Sequence, residues 1–567
     1  MSTNFGKSIP LFLLTACSLL AQTAQLTGRV TDVQHAVLLG AEVVATNVAT
    51  QVIRRTVCND QGLYSIRGLP PGDYQLTASH TGFRPEKRSN LRLIVDQTAT
   101  FDFELQVGAV ADSIEVNAQA ALLDSQTSSL GQLIDNTKIQ NIPLNGRSSF
   151  RLVQLTPGIT MTRAAGGQFG DIPVNTTWDS NFSINGGRAQ SNEIQIDGVP
   201  STAGFFNQIT TIPSIEATQE FKVQSNNLSA EWGRFGGGVI NVSTRSGTNA
   251  LHGALYEYVR NSAFDANEFF NKGAGRDIPP FRMNQFGGAI GGPILRNRTF
   301  FFADYQGTRY RRGDVFRASL PTALERSGDF SQTLGPTGDL AAIFDPLTSS
   351  TARLPLAGNR IPANRISPIA VKMIAFYPQP NAPGDKFTNF NNFVSNAGRS
   401  IDSNQFAAKV DHNFSEKWRT FGRFARNKTG LTQPDYFNNV ATSGNGAVGT
   451  TPFTQYTAAL DNTVILSPTT MLSVRYGFAR WYQLRSTRSY GFDQRELGIP
   501  SSLVSQFQIP VFPAVSVEQY AGLGGQSFLN NGNDSHSLLA SLTKTVGRHN
   551  LKWGGDLRLH RDRKSVV

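Results

Sequence analysis

Between His549 and His560 the chain changes face at every residue. Leu551, Trp553, Gly555, Leu557 and Leu559 share one side, and Lys552, Gly554, Asp556, Arg558 and His560 share the other. A period of two belongs to an extended strand, whose successive Cβ atoms point to opposite faces. Leu472, Val474, Tyr476 and Phe478 alternate in the same way with Ser473, Arg475, Gly477 and Ala479. A water-soluble sheet can carry this pattern. A polar face holding Lys, Asp, Arg and His also fits a hydrated barrel lumen, with the apolar face turned to lipid.

Other runs pair with these. His252–Arg260 reads as a first strand, and Met283–Gly292 with Thr299–Thr308 as a hairpin around Leu295–Arg298. Gln405–His412 pairs with Lys417–Asn427, Tyr456–Leu466 with Met471–Gln483, and Ser535–Val546 with His549–His560. Connections such as Ser467–Thr470 and Val546–Arg548 are short, whereas residues 313–403 form a long Pro-, Gly- and Asn-rich connection. Short turns are expected on one side of a membrane barrel and long loops on the other. Only 16% of residues are charged, against 53 Gly and 38 Phe, which favours strands and turns over long charged helices. The net charge of +11 arises after residue 247 and is spread out, without a nucleic-acid motif.

Lys7 and the apolar stretch Ile9–Leu20 read as a secretory signal, about residues 1–21, too short to span a bilayer. Cleavage falls after Ala21 or Ala24; Leu14–Cys17 also resembles a lipobox, so signal peptidase I and lipoprotein processing at Cys17 both remain open. The mature chain then keeps only Cys58, a small apolar filler that has no internal disulfide partner.

Residues 24–107 show seven strand-like runs: Gln25–Thr31, Ala41–Asn47, Val52–Val57, Leu63–Arg67, Asp73–Ser79, Leu91–Val95 and Thr98–Leu105. Turn residues separate many of them, which predicts a β-sandwich. Asp60 is expected to cap a turn with its side chain. The pattern Gly28, Val30, Asp32; Gly40, Ala41, Val43; Asn59–Gly62 before Tyr64; Leu69–Tyr74; Gly82-Phe83 resembles the carboxypeptidase regulatory-like domain, which implies a non-catalytic sandwich.

Residues 108–247 carry a series of blocks. Ile142–Arg147 holds an Asn-Gly turn, Ser148–Leu155 suits a short helix ended by Pro157 and Gly158, and Phe182–Gly198 reads strand, turn, strand, turn. In Ser214–Asn249, Ile240, Val242 and Thr244 oppose Asn241, Ser243 and Arg245, the pattern of a half-buried strand. Gly236, Gly237 and Gly238 precede it, where the backbone needs either positive φ or a close approach. In order and spacing these blocks resemble the plug of Oar-like TonB-dependent outer-membrane receptors, and Glu325–Ser331 and Gly358–Pro362 in the long connection resemble the same family.

That resemblance implies a TonB box at Asp112, Ser113, Ile114, Glu115, Val116, Asn117 and Ala118, a segment that adds as a strand to the energy-coupling protein TonB. It makes Arg147, Arg188 and Arg234 candidates for plug–barrel pairing. No phosphate-binding loop, Gly-x-Ser-x-Gly elbow or His-Glu-x-x-His motif occurs, so neither enzyme activity, cofactor nor metal is expected. Asp197 and Asp304 read as turn or lumen carboxylates.

The expected architecture is mainly β: the sandwich, an α+β plug at 108–247 and an incomplete antiparallel transmembrane barrel at 248–567. About nine barrel strands are legible, against about 22 in transporters of this kind. The expectation is therefore the N-terminal half of a receptor in a Gram-negative outer membrane. Its partners would be TonB, outer-membrane lipid and an external siderophore, cobalamin, oligosaccharide or peptide. The alternative is a non-transporting periplasmic or surface carbohydrate-binding protein.

Overall fold

A computed structural model describes residues 23–108, 114–117, 129–161, 181–203, 207–267, 269, 272, 277–348, 351–525, 528–547 and 549–566. The signal segment with Cys17, and Asp112, Ser113 and Ala118, lie outside these residues.

Nine strands build the sandwich: β1 (Ala24–Asp32), β2 (Glu42–Asn47), β3 (Ile53–Val57), β4 (Leu63–Leu69), β5 (Gly72–Ser79), β6 (Glu86–Leu93), β7 (Thr98–Thr100), β8 (Phe103–Leu105) and β9 (Ile114–Asn117). One sheet runs β4-β1-β7, with β8 also on β1; the other runs β3-β2-β5-β6-β9. Leu26, Val43, Leu76 and Phe103 are buried between them. The count differs from the seven runs expected. The last run divides because the Asp102 carboxylate accepts the Arg29 amide at 2.7 Å, interrupting the ladder between β7 and β8. The sixth strand begins at Glu86, earlier than its apolar residues indicate. Asn59, rather than Asp60, caps its turn, its side-chain oxygen accepting the amides of Gln61 at 3.0 Å and Leu63 at 2.9 Å. Burial pushes the Cys58 thiol up to about 12, which makes it an inert filler.

The next region contains β10 (Leu130–Ile134), α1 (Asn136–Asn141), β11 (Ile159–Met161), β12 (Phe182–Ile184), β13 (Glu193–Ile196), β14 (Val199–Pro200), β15 (Thr202–Ala203), β16 (Gln208–Ile209), β17 (Thr218–Asn226) and β18 (Val239–Thr244). The expected short helix is a 3-10 helix at Ser149–Leu155. Asp135 caps α1 by accepting the Lys138 amide at 2.9 Å. The main sheet runs β10-β17-β18-β13-β14 over a core that includes Phe150, Phe182, Ile194, Phe221 and Ile240.

β18 was expected to be half-buried, yet every residue from Val239 to Thr244 is buried. Its apolar face meets this core. Its polar face is covered by other parts of the chain, with Asn241 donating to Asp96. Of the three glycines before it, two serve close approach: an added Cβ would lie 2.1 Å from Asn192 Oδ1 at Gly237 and 2.6 Å from Gln224 O at Gly238, whereas at Gly236 it would meet open space.

β19 (His252–Asn261), β20 (Phe281–Leu295), β21 (Thr299–Ala318), β22 (Phe393–Ser415), β23 (Trp418–Thr432), β24 (Thr450–Ser467), β25 (Thr470–Arg485), β26 (Leu529–Val546) and β27 (His549–Val566) form one nine-stranded antiparallel sheet in chain order. It is open, with β19 and β27 at its edges. Faces alternate as the sequence predicts. On β25, Ser473, Arg475, Gly477 and Ala479 are buried against the interior, while Tyr476 and Arg480 stand outward and exposed. The strands extend beyond the predicted runs at the ends joined by long connections. There, residues from three of the four long connections and adjoining strand ends share a core that includes Leu320, Tyr377, Phe437, Leu497 and Phe512. Within it Glu325–Ser331 and Gly358–Pro362 pair: the Phe330 amide donates to Asn359 O at 3.0 Å, and Arg360 meets Asp329 at 2.9 Å. No helix among the described residues is long and apolar enough to cross a membrane.

The sandwich sits on both other parts. Glu220 on β17 accepts the Val95 amide at 2.6 Å, and burial pushes its carboxyl up to about 7. A carboxyl raised from its unfolded value of 4.5 penalises the attached state once it ionises. The contact is therefore strongest below about pH 4.5 and weakens as pH rises through about 7. Hydrogen exchange at the Val95 amide, corrected for intrinsic rate, should accelerate more between pH 5 and pH 8 than at neighbouring amides, and Glu220→Gln should remove the difference.

Candidate functional site

The Asp197-Gly198 turn joins β13 to β14 and enters the inner face of the nine-stranded sheet. Both residues take positive φ, 50° and 76°. Gly198 is required twice over, because an added Cβ would also lie 2.3 Å from Arg475 Nη1. Beside it Val199 packs with Phe421, Ala459 and Leu539 of three barrel strands.

Asp197 is 3% exposed and faces two cations from the wall. Lys409 Nζ on β22 lies 3.1 Å from Oδ1, and Arg423 Nε on β23 lies 3.1 Å from Oδ2. Thr244 completes the set, its amide donating to Oδ1 at 3.0 Å and its hydroxyl to Oδ2 at 2.5 Å. Burial alone would raise this carboxyl. Lys409, Arg423 and the Thr244 bonds outweigh it and hold Asp197 below the usual carboxylate value. The arrangement is a charge latch: a buried, ionised carboxylate held by two cations of the sheet wall.

The latch is one of several. Glu193 on β13 receives Arg558 of β27 at 2.9 Å, and Glu231 receives Lys552 at 3.2 Å. Ser214 donates to Asp304 of β21 at 2.9 Å, and Gln405 of β22 to Ile212 O at 2.7 Å. Polar wall residues thus meet polar plug residues along the sheet, as the lumen reading of the alternating strands requires. A cavity of about 230 Å³ lies beneath the latch, lined by Arg54 and Tyr74 of the sandwich and by Asp197, Lys409, Asp411 and Arg419. The sandwich closes it from below. Arg54 donates to Ser415 O at 3.2 Å and to Glu416 O; Arg67 donates to Thr469 O at 3.0 Å. Both acceptor groups belong to the short turns of the sheet.

Of the sequence candidates, Arg147 pairs with Glu216 and lies over the Tyr256 and Tyr258 rings of β19, 4.7 and 4.0 Å from their centroids. Arg188 and Arg234 are exposed; Arg234 lies over the Phe235 ring. From the candidate box, Ile114–Asn117 forms β9, paired in parallel with Glu86–Ser89 of β6. Lys409 and Arg423 were not singled out from sequence, and Arg558 was read only as one member of a polar strand face. For Lys409 and Arg423 the signal was a charge on the inward parity of an alternating strand. Among the described residues no group of three His, Cys, Asp or Glu side chains could hold a metal ion.

An open antiparallel sheet with a polar inner face covered by the preceding region and an apolar outer face defines an outer-membrane barrel protein. The outer membrane beta barrel domain family matches residues 243–565, and the chain belongs to that family. The carboxypeptidase regulatory-like domain matches residues 25–106. The chain is similar to the TonB-dependent transporter Oar of Myxococcus xanthus, 29% identical over 321 residues, which are 54% of this chain and 29% of that protein.

Among solved structures, the siderophore receptor PirA of Acinetobacter baumannii aligns at 13% identity and a TM-score of 0.38, covering 76% of this chain and 48% of PirA. The outer membrane transporter YddB of Escherichia coli aligns at 12% and 0.42, covering 77% and 53%. FpvA of Pseudomonas aeruginosa, bound to pyoverdines, aligns at 11% and 0.41, covering 79% and 54%. The chain thus spans less than a third of Oar and about half of each of these receptors.

Removing one member of a buried pair strands the other charge at a cost of about 3–5 kcal/mol. Asp197→Asn should therefore raise hydrogen exchange in Val239–Thr244, and Asp197→Asn with Lys409→Met should restore part of the protection. Unchanged protection in the single variant would exclude the latch.

Proposed function

We propose that this chain is the plug-bearing part of a TonB-dependent outer-membrane receptor that takes up an external ligand. The buried Asp197–Lys409–Arg423 latch carries the reading, because it seats the plug against the lumen wall through paired, buried charges. The proposed organisation is a signal segment at 1–21, a regulatory-like sandwich at 24–107, a plug at 108–247 and the first part of the barrel at 248–567. The similarity to Oar supports TonB dependence. Ligand would arrive from the side of the long connections, and siderophore, cobalamin, oligosaccharide and peptide all remain within the reading. Solvent-facing aromatics in those connections, such as Phe387 and Tyr490, offer contact area there.

Coupling would act through Asp112–Ala118. TonB would add this segment to its own sheet edge by main-chain hydrogen bonds. In the resting structure Ile114–Asn117 is already the edge strand on β6, so coupling would require exchange of one strand partner for another. Pulling on the segment would then draw on the plug and load the latch.

Proline at 114 removes a donor needed for strand addition. Ile114→Pro should weaken binding of the soluble C-terminal domain of TonB at least tenfold, read by titration calorimetry on the detergent-solubilised chain, while Arg188→Ala should leave it unchanged. Equal binding by Ile114→Pro and the parent would remove the box from this account.

A further inference from the structure

The sandwich spans the whole short-turn end of the nine-stranded sheet. Asn249, just before β19, donates its amide to Ala49 O at 3.1 Å and its side chain to Thr50 O at 2.8 Å. The same side chain donates to Asn297 Oδ1 at 2.6 Å, in the turn between β20 and β21. At the turn between β22 and β23, Arg54 donates to Ser415 O and Glu416 O, and Arg55 meets the Glu416 carboxylate at 3.1 Å. Arg67 donates to Thr469 O at 3.0 Å between β24 and β25. It also donates to Asn550 Oδ1 at 2.7 Å and to Thr545 Oγ1, beside the turn between β26 and β27. One small domain thus reaches three of the four short turns directly and the fourth through Asn249.

The docked surface is of a kind that can open. The buried apolar cluster of the sandwich, Ala24 to Leu105, includes no residue of the plug or the sheet, and that of the plug, Ile134 to Val242, includes none of the sandwich. Polar groups join the parts instead: the turn contacts, the Val95 amide on Glu220, and Lys222 Nζ donating to Asp96 O at 3.2 Å. An interface of this polar kind permits relative domain motion. Arg54 and Arg67 are 4% and 5% exposed. The acceptors of Arg67 are all neutral, and burial lowers its guanidinium to about 10. A cation buried against neutral acceptors recovers in bonds only part of the hydration it loses, so undocking returns it to water.

Between the sandwich and the Asp197 latch lies the cavity of about 230 Å³. Arg54 and Tyr74 line it from the sandwich, Ser243 from the plug and Asp411 from the wall. Asp411 keeps Oδ2 without a protein partner. At about 30 Å³ per water the cavity has room for roughly seven, which supply that partner. The result is a polar chamber closed on one side by the latch and on the other by a separable domain.

We propose that the sandwich is a gate in series with the latch. It undocks from the short turns as a folded unit, opens the chamber to the periplasmic side and docks again through Arg54 and Arg67. The plug then controls entry from the outer side, and the sandwich controls exit. The inference rests on the receptor reading for the direction of passage, while sealing of the chamber is testable without TonB or a ligand.

The test uses the full chain with Ser243→Cys in a Cys17→Ser, Cys58→Ala background, and a charged, membrane-impermeant methanethiosulfonate as probe. Position 243 should label slowly in this parent and at least tenfold faster when Arg54→Ala and Arg67→Ala are added. Thr211→Cys reports on a plug position buried against Thr457 of β24. Its rate should not change, because the plug stays latched. Cys58, restored in a chain that carries only Cys17→Ser, should stay unreactive with and without the alanine pair, because the sandwich opens folded. The Arg54→Lys, Arg67→Lys pair keeps charge and loses the fork, so it should label at an intermediate rate, and it serves if the alanine pair folds poorly. Equal labelling at position 243 in the parent and both arginine variants would overturn the gate. So would parallel acceleration at position 211, which would make the arginines supports of the whole plug, or reaction of Cys58, which would make release an unfolding of the sandwich. Rates as stated, with no binding of TonB to the parent, would uphold the gate and remove the receptor reading.

Discussion

The latch at Asp197 is the constraint on which the rest depends. A carboxylate at 3% exposure is tolerated only because Lys409 and Arg423 approach it from the wall and Thr244 fills its remaining acceptor sites. The arrangement commits the plug to one seat. It also commits the wall, since Lys409 and Arg423 would be buried charges without their partner. The ion pairs Glu193–Arg558 and Glu231–Lys552 extend the same logic toward β27.

This electrostatic seat is possible because each barrel strand keeps two chemistries apart. Inward positions on β22 to β25 include Lys409, Asp411, Arg419, Arg423, Asp461 and Arg475, all buried. Outward positions on the same strands include Phe406, Val410, Phe424 and Leu460, all exposed. A shift of one residue in any register would send charges into lipid and leucines into the lumen, so plug seating and membrane placement fix the same register. The sandwich adds a third restraint, with Arg54 and Arg67 bonded to the short turns and Glu220 tying it to the plug.

Much of this was legible in the sequence, for identifiable reasons. Leu551–His560 and Leu472–Ala479 alternate strictly, so strand identity, facing and order emerge from period alone. The upper ends of the strands were missed because residues such as those in Phe393–Ser403 leave the hydrocarbon and lose the apolar half of the pattern. β18 looked half-buried because Asn241 and Ser243 are polar; their burial comes from partners distant in sequence, Asp96 among them. Asp197 was recognised as a turn residue, but nothing local announces that two cations more than two hundred positions away converge on it. Arg147 was a candidate through the resemblance of its block to a receptor plug, and its stacking on Tyr256 and Tyr258 depends on tertiary placement.

The most direct test of the central claim is a cysteine scan along Leu472–Ala479, in a Cys58→Ala background, with a nitroxide at each position in membrane vesicles. The account predicts strict alternation. Labels at 472, 474, 476 and 478 should collide with lipid-soluble oxygen, while those at 473, 475, 477 and 479 should be immobilised and shielded by the plug. Uniform accessibility, or alternation of the opposite phase, would contradict a plugged lumen on this face of the sheet.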